Sequence, residues 1–146
     1  MEVRRIKEDE LEKLLSLYKH LHANEDEVSP EALSEAGQRI FTNDSTFIYF
    51  VIEKDDLLVS SCNLSIIPNL TRGARSIGLI ENVVTHIDYR KQGLGKKVIE
   101  HTINYARAKN CYKVMLLSNA HKTEAHQFYE RLGFDSGAKK GFIINL

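Results

Sequence analysis

The spacing of apolar residues changes period several times along the chain, and each change marks a predicted element. Val3 to Ile6 reads as a short first strand. Leu11, Leu14, Leu15, Tyr18 and Leu21 then recur every three or four residues, which places them on one stripe of an amphipathic helix. Ser29-Pro30 joins an N-capping hydroxyl to a proline at the first helical position, so a second helix is predicted from Pro30 to about Phe41. The acidic turn Asn24 to Glu27 connects the two. From Phe47 to Ile52 the residues are β-branched and aromatic, and a second apolar run, Leu57 to Ile67, follows the polar Lys54-Asp55-Asp56, the pattern of an antiparallel hairpin. Pro68 and Gly73 punctuate a loop before a third run, Ser76 to His86, completes a meander.

After Gly93 the helical period returns. Val98, Ile99, Thr102, Ile103 and Ala106 share a face of a helix ending near Asn110, and Val114 to Leu117 is a short buried strand. Ala125, Phe128, Tyr129 and Leu132 follow helical spacing up to Gly133, and Gly141 to Leu146 is predicted to close the sheet as a last strand. The order βααβββαβαβ, without repeat or linker, predicts an α/β (α+β) fold with one domain over residues 1–146.

Composition narrows the function classes. Hydrophobic residues at 42% and charged residues at 27% are the balance of a soluble globular protein. Twenty basic and twenty acidic side chains cancel, which leaves no global field to draw the chain onto nucleic acid or an anionic membrane, and neither is expected as a partner. Met1 to Glu10 carries alternating charges with no signal-peptide core, so a cytoplasmic location is expected. Cys62 and Cys111 stand far apart without metal-ligand spacing and read as buried free thiols. The Asn-x-Ser/Thr triplets at Asn43, Asn63 and Asn69 are set aside for want of a secretory signal.

The most specific stretch is Arg90-Lys91-Gln92-Gly93-Leu94-Gly95-Lys96, between a predicted strand and a predicted helix. A turn there aims free backbone N–H groups at one anion, glycines let the backbone approach it, and the helix end attracts negative charge. A Walker loop is excluded because its spacing fails at Arg90 and Lys97, and a dinucleotide fingerprint fails because Val98 replaces its third glycine. A plain strand-to-helix turn with solvated basic residues remains the alternative from the loop alone.

Glu81-Asn82-Val83-Val84-Thr85 followed by Tyr89-Arg90-Lys91-Gln92-Gly93-Leu94-Gly95 resembles the acetyl-CoA motif of the GCN5-related N-acetyltransferases, Arg/Gln-x-x-Gly-x-Gly/Ala, with Arg90, Gly93 and Gly95 at its defined positions. A second signature of that family is similar to Ala125-His126-Gln127-Phe128-Tyr129 with Leu132-Gly133-Phe134 downstream. The resemblance covers essentially the whole chain and implies a single mixed, mostly antiparallel sheet flanked by helices. It also implies that the strands holding Glu81 to Thr85 and Val114 to Leu117 splay apart to admit a pantetheine arm. That arm would pair with the backbone of Val83, Val84 and Thr85, in the manner of strand addition. The pyrophosphate would lie on the loop from Arg90 through Lys91, Gln92, Gly93, Leu94 and Gly95 to Lys96, with Asn119 and Phe128 completing the cofactor contacts. Lys122 stands where many relatives carry asparagine. The stretch Ser118 to His126 looks more like the branch that acetylates aminoalkylphosphonates and other small amines.

Acetyl transfer to an amine needs a base, because an alkylammonium has a pKa of about 10. Glu81 is the implied base, acting directly or through water, against the alternative of a salt-bridged or solvated glutamate. Tyr129 is the implied acid for the departing thiolate, against the alternative of a core aromatic. His86, His121 and His126 lack metal spacing, so no metal is assigned, and His126 is read as making a polar contact. The implied function is direct transfer from acetyl-CoA to a primary amine, of a small molecule such as a polyamine, aminosugar or aminoalkyl compound. The competing readings are a protein N-terminus or lysine as acceptor, and a non-catalytic acetyl-CoA-binding or interaction module. The first two helices and the loop Pro68 to Arg75 would wall the acceptor, and Glu25, Asp26 and Glu27 either attract a cationic amine or are simply solvated. Phe142-Ile143-Ile144 gives the C-terminus edge-pairing potential, and a homodimer is the expected assembly.

Overall fold

The computed structural model describes residues 1–146. The chain runs β1 (Val3–Arg5), a 3-10 turn at Glu8–Glu10, α1 (Leu11–Tyr18), α2 (Pro30–Thr42), β2 (Phe47–Lys54), β3 (Leu57–Ile67), a single turn α3 (Thr71–Ala74), and β4 (Ile77–Thr85). A 3-10 turn at Ile87–Tyr89, α4 (Leu94–Ala108), β5 (Lys113–Leu116) and α5 (Thr123–Arg131) follow. The strands form one sheet in the order β1-β2-β3-β4-β5, antiparallel as far as β4, with β5 parallel to β4.

Local chemistry explains the joints. Ser29 Oγ accepts the Ala32 N–H at 3.1 Å and so caps α2 as its sequence predicts. Asp55 and Asp56, with φ of 49° and 65°, supply the two left-handed residues of a tight β2–β3 turn whose twist suits a hairpin. The period-two pattern of β2 then feeds two cores. Ile48, Phe50 and Ile52 join Cys62, Leu64 and Ile80 against Val98, Ile99 and Ala106 of α4. Val51 faces the opposite way, with Leu58 and Val84, onto Leu14 and Leu17 of α1. Each fully buried Leu, Ile or Phe contributes roughly 1.5–3 kcal/mol, so these two clusters fix which face each neighbouring polar residue must occupy.

One irregularity positions the site. The β3–β4 register passes from Ser61↔Val84 to Asn63↔Glu81, so Asn82 and Val83 together oppose Cys62. Asn82 takes φ 51° to make this bulge.

The last predicted strand is a correction. Gly141 to Leu146 has no strand structure, and the sheet ends at β5. The run is apolar enough for a strand, but a strand exists only with a partner in register, and this segment forms no ladder with β5. Phe142, Ile143 and Ile144 are 87%, 71% and 87% exposed.

Candidate active site

The sheet opens where the resemblance places the cofactor arm. Pairing between β4 and β5 begins at Ile77↔Lys113 and stops at Ile80↔Leu116, while β4 continues to Thr85. The β4 backbone from Glu81 to Thr85 therefore has no strand on that side. From Val83 onward the side chains point into packing, whereas Glu81 and Asn82 are exposed: Val84 is buried on the α1 cluster, Val83 packs on the α4 cluster, and Thr85 Oγ1 lies 3.0 Å from Ser60 Oγ. What this edge offers a ligand is its main chain.

The loop beyond β4 ends at Gly93, whose φ of 79° no branched residue adopts without strain. The first helical bond of α4 runs from Lys97 N–H to the Gly93 carbonyl at 3.0 Å, so the N–H groups of Leu94, Gly95 and Lys96 have no helical acceptor. A Cβ on Gly93 would meet nothing within 4 Å, which leaves its backbone open to an approaching group. A Cβ on Gly95 would lie 3.4 Å from the Phe128 ring and 3.5 Å from Thr85 Oγ1. Gly95 is thus the point where the end of β4, the start of α4 and α5 converge. An open glycine backbone, three N–H groups without a helical acceptor and the unpaired β4 edge together fit a pyrophosphate with an extended arm.

The basic residues divide their work. Arg90 Nε donates to the Thr85 carbonyl at 3.1 Å and Nη2 to the His20 carbonyl at 2.8 Å, which ties the end of β4 to the end of α1. Gln92 Nε2 reaches the Asp88 carbonyl at 3.3 Å, Lys96 pairs with Glu100 at 3.7 Å, and Lys91 is exposed with φ 59°. Asn119 builds the turn into α5: its Oδ1 accepts the His121 N–H at 3.0 Å and its carbonyl meets His126 Nε2 at 2.8 Å. That second bond is the polar contact read for His126, and Lys122 stands exposed at the start of α5.

Glu81 is exposed in the opening, beside the bulge. Tyr129, partly buried on α5, lies edge-on to Phe128 and Phe134, with ring centroids 5.2 Å and 5.9 Å away. Burial, followed by the neighbouring Cys62 and Glu81, pushes its phenol up to about 12, so Tyr129 is neutral at physiological pH. Cys62 and Cys111 are free and buried. Burial pushes the Cys62 thiol up to about 11, and its Sγ lies 3.1 Å from Thr102 Oγ1.

Sequence reasoning missed four residues beside Glu81. Tyr49, Asn63 and Glu81 are register neighbours across β2, β3 and β4, and Tyr18 of α1 packs with Tyr49. Asn82 stands close enough to Tyr18 to ease its phenol, whose ordinary value burial raises strongly. The signal was a polar Asn63 at an inward position of the apolar run Leu57 to Ile67. A concavity of about 730 Å³ between α1 and α2 touches none of these residues; Glu8, Asp9, Glu12, Leu33 and Phe41 are among those that line it.

Residues 10–134 match the model of the acetyltransferase (GNAT) family. Over 134 residues the chain is 36% identical to a glucosamine 6-phosphate N-acetyltransferase of Trypanosoma brucei brucei, covering 92% of this chain and 88% of that protein. Among solved structures, a putative acetyltransferase from Agrobacterium tumefaciens str. C58 superposes over all of both chains with a TM-score of 0.89 and 37% identity. A Trypanosoma brucei acetyltransferase superposes over 99% of both with a TM-score of 0.84 and 32% identity.

Proposed function

The chain belongs to the acetyltransferase (GNAT) family, whose members use acetyl-CoA, and on that premise we propose that it acetylates the amine of an aminosugar phosphate of the glucosamine 6-phosphate type. The observation that carries the acceptor class is the 36% identity with the trypanosomal enzyme over 92% of the chain. The geometry agrees with a small acceptor that must reach an opening bordered by Glu81 and Tyr129.

Bound acetyl-CoA supplies an activated acetyl thioester. The N–H groups of Leu94, Gly95 and Lys96 hold its pyrophosphate, and the main chain of Val83, Val84 and Thr85 holds the pantetheine arm. The Glu81 carboxylate takes a proton from the acceptor ammonium, directly or through one water, which frees the nitrogen lone pair for attack. Tyr129 Oη, un-ionised because its phenol is held at about 12, gives a proton to the departing sulfur. No acyl-enzyme is needed. The thiol nearest the site, Cys62, is fully buried and protonated, and a thiol in that state is a poor nucleophile.

We also infer a homodimer built on the C-terminal segment, supported by the exposed Phe142, Ile143 and Ile144 and by the unpaired outer edge of β5.

Incubating the protein with acetyl-CoA and an equimolar mixture of glucosamine 6-phosphate, glucosamine, spermidine and a lysine peptide tests the proposal. Mass spectrometry is expected to find the N-acetylated sugar phosphate first. An acetylated peptide or polyamine as the leading product would replace this acceptor class, and no acetylated amine at all would remove it.

A further inference from the structure

The molecule leaves two buried polar atoms without a hydrogen-bond partner, Tyr18 Oη and Asn63 Oδ1, and both lie in the cluster beside Glu81. Leaving a buried acceptor unpaired is costly, and folded proteins keep few of them. Asn63 is 8% exposed, in the middle of β3. It stands opposite Tyr49 on one side and Glu81 on the other. Directly paired residues of antiparallel strands share a face, with Cβ atoms about 4.5–5.5 Å apart, so a Glu81 carboxyl can reach the Asn63 amide by rotamer change alone.

As the amide is oriented, its oxygen is the atom left without a donor. An ionised carboxylate only accepts hydrogen bonds, so resting Glu81 has nothing to offer a carbonyl oxygen. Once protonated, the same group becomes a donor. Tyr18 does not fill the role, because its own hydroxyl is orphaned.

We propose that Asn63 is a positioning residue for Glu81: its side-chain oxygen accepts the hydrogen bond of the Glu81 carboxyl once that group has taken up a proton. The inference rests on the reading of Glu81 as the proton acceptor. In the step, an N–H bond of the acceptor ammonium breaks, an O–H bond forms on Glu81, and that hydrogen is shared with Asn63 Oδ1. Release to water resets the carboxylate and leaves the oxygen unpartnered again. A hydrogen bond of this kind would favour the protonated carboxyl once it has formed.

The other titratable groups on this face are Tyr18 of α1, Tyr49 of β2 and Glu25 in the segment before α2, while Cys62 of β3 and Tyr129 of α5 act from the α4 side of the sheet. Burial raises both the phenols and the thiol, so all four stay neutral through the acid range in which a glutamate titrates. Glu25 is the remaining carboxylate. It bears on Tyr18, and a Glu25→Gln variant serves as its control.

The test is the acid limb of kcat/KM against pH for the parent, Asn63→Leu, Asn63→Ala and Glu81→Gln, together with the titration of the Glu81 carboxyl followed by carbon-13 NMR. Both Asn63 variants are expected to move the limb and the NMR midpoint to lower pH by about half to one unit. They are also expected to lower plateau kcat by about tenfold, with KM for acetyl-CoA nearly unchanged. Glu81→Gln is expected to abolish the limb. The alanine variant keeps the test available if leucine disturbs β3, and the NMR midpoint reads the effect without turnover. An unmoved midpoint in a folded Asn63 variant, with the limb still abolished by Glu81→Gln, overturns the role of Asn63 alone. A limb that survives in Glu81→Gln overturns the reading of Glu81, and the role of Asn63 with it.

Discussion

Replacing Tyr129 by phenylalanine deletes one oxygen and leaves the ring where it packs on Phe128 and Phe134. Those edge-on contacts survive the change, so the stability cost is at most that of one hydroxyl, about 0.5–1.5 kcal/mol. The catalytic cost is of another order. A general acid contributes typically 10²–10⁴-fold, and at about 1.36 kcal/mol per decade that is roughly 2.7–5.4 kcal/mol of barrier. Because the phenol is held at about 12, its donor form is full at every pH from 6 to 9, and the loss should be uniform over that range. Steady-state thiol release gives kcat and KM, and a single-turnover experiment shows whether acetyl transfer or product release is limiting. The expected pattern is kcat down by about 10²–10⁴-fold with KM for acetyl-CoA within about twofold. Near-parent kcat with transfer shown to be limiting would make Tyr129 a packing residue and assign the proton to water or another group.

Gly93→Val places a branched side chain at φ 79°, in the space left open for phosphate; calorimetry should find acetyl-CoA binding at least about tenfold weaker in a folded variant, and unchanged affinity would contradict the loop assignment. Arg4 grips Glu10 with bonds of 2.8 and 2.7 Å, and the Lys7 N–H adds a third at 2.9 Å; chiefly through Arg4, the Glu10 carboxyl drops from 4.5 to about 2. A depressed folded value means stability that is whole above pH 4.5 and lost as pH falls towards 2, on the order of 3 kcal/mol at about 1.36 per unit. Urea unfolding should therefore show Glu10→Gln weaker at pH 7 and less sensitive to pH in that window; parallel losses in parent and variant would contradict it. Light scattering at tens of micromolar should find a dimer that Phe142→Asp with Ile144→Asp converts to monomer, and a monomeric parent would remove the assembly.

Much of the fold was legible because the signals were local. The stripe from Leu11 to Tyr18, the Ser29-Pro30 cap and the alternation of β2 each specify a shape through neighbours close in sequence. What escaped depended on partners distant in sequence. Nothing near Asn82 announces its φ of 51°, which arises from the mismatch of β3 and β4 across Cys62. Arg90 reads as a phosphate cation, yet two of its donors serve the carbonyls of Thr85 and His20, the latter 70 residues away. Tyr18 looked like one member of an apolar stripe, and Asn63 like part of a discarded triplet, until the register of β2, β3 and β4 set them around Glu81. The segment from Gly141 has the composition of a strand, and no ladder in this chain accepts it.

The central claim, acetyl transfer from acetyl-CoA to an aminosugar phosphate, is tested most directly by kcat/KM for glucosamine 6-phosphate measured beside glucosamine and a lysine peptide at saturating acetyl-CoA. A site suited to the phosphorylated sugar should favour it over glucosamine by about 10²-fold or more, the worth of roughly 3 kcal/mol of charge-assisted contacts. Equal values for the two sugars, or a larger one for the peptide, would contradict the account.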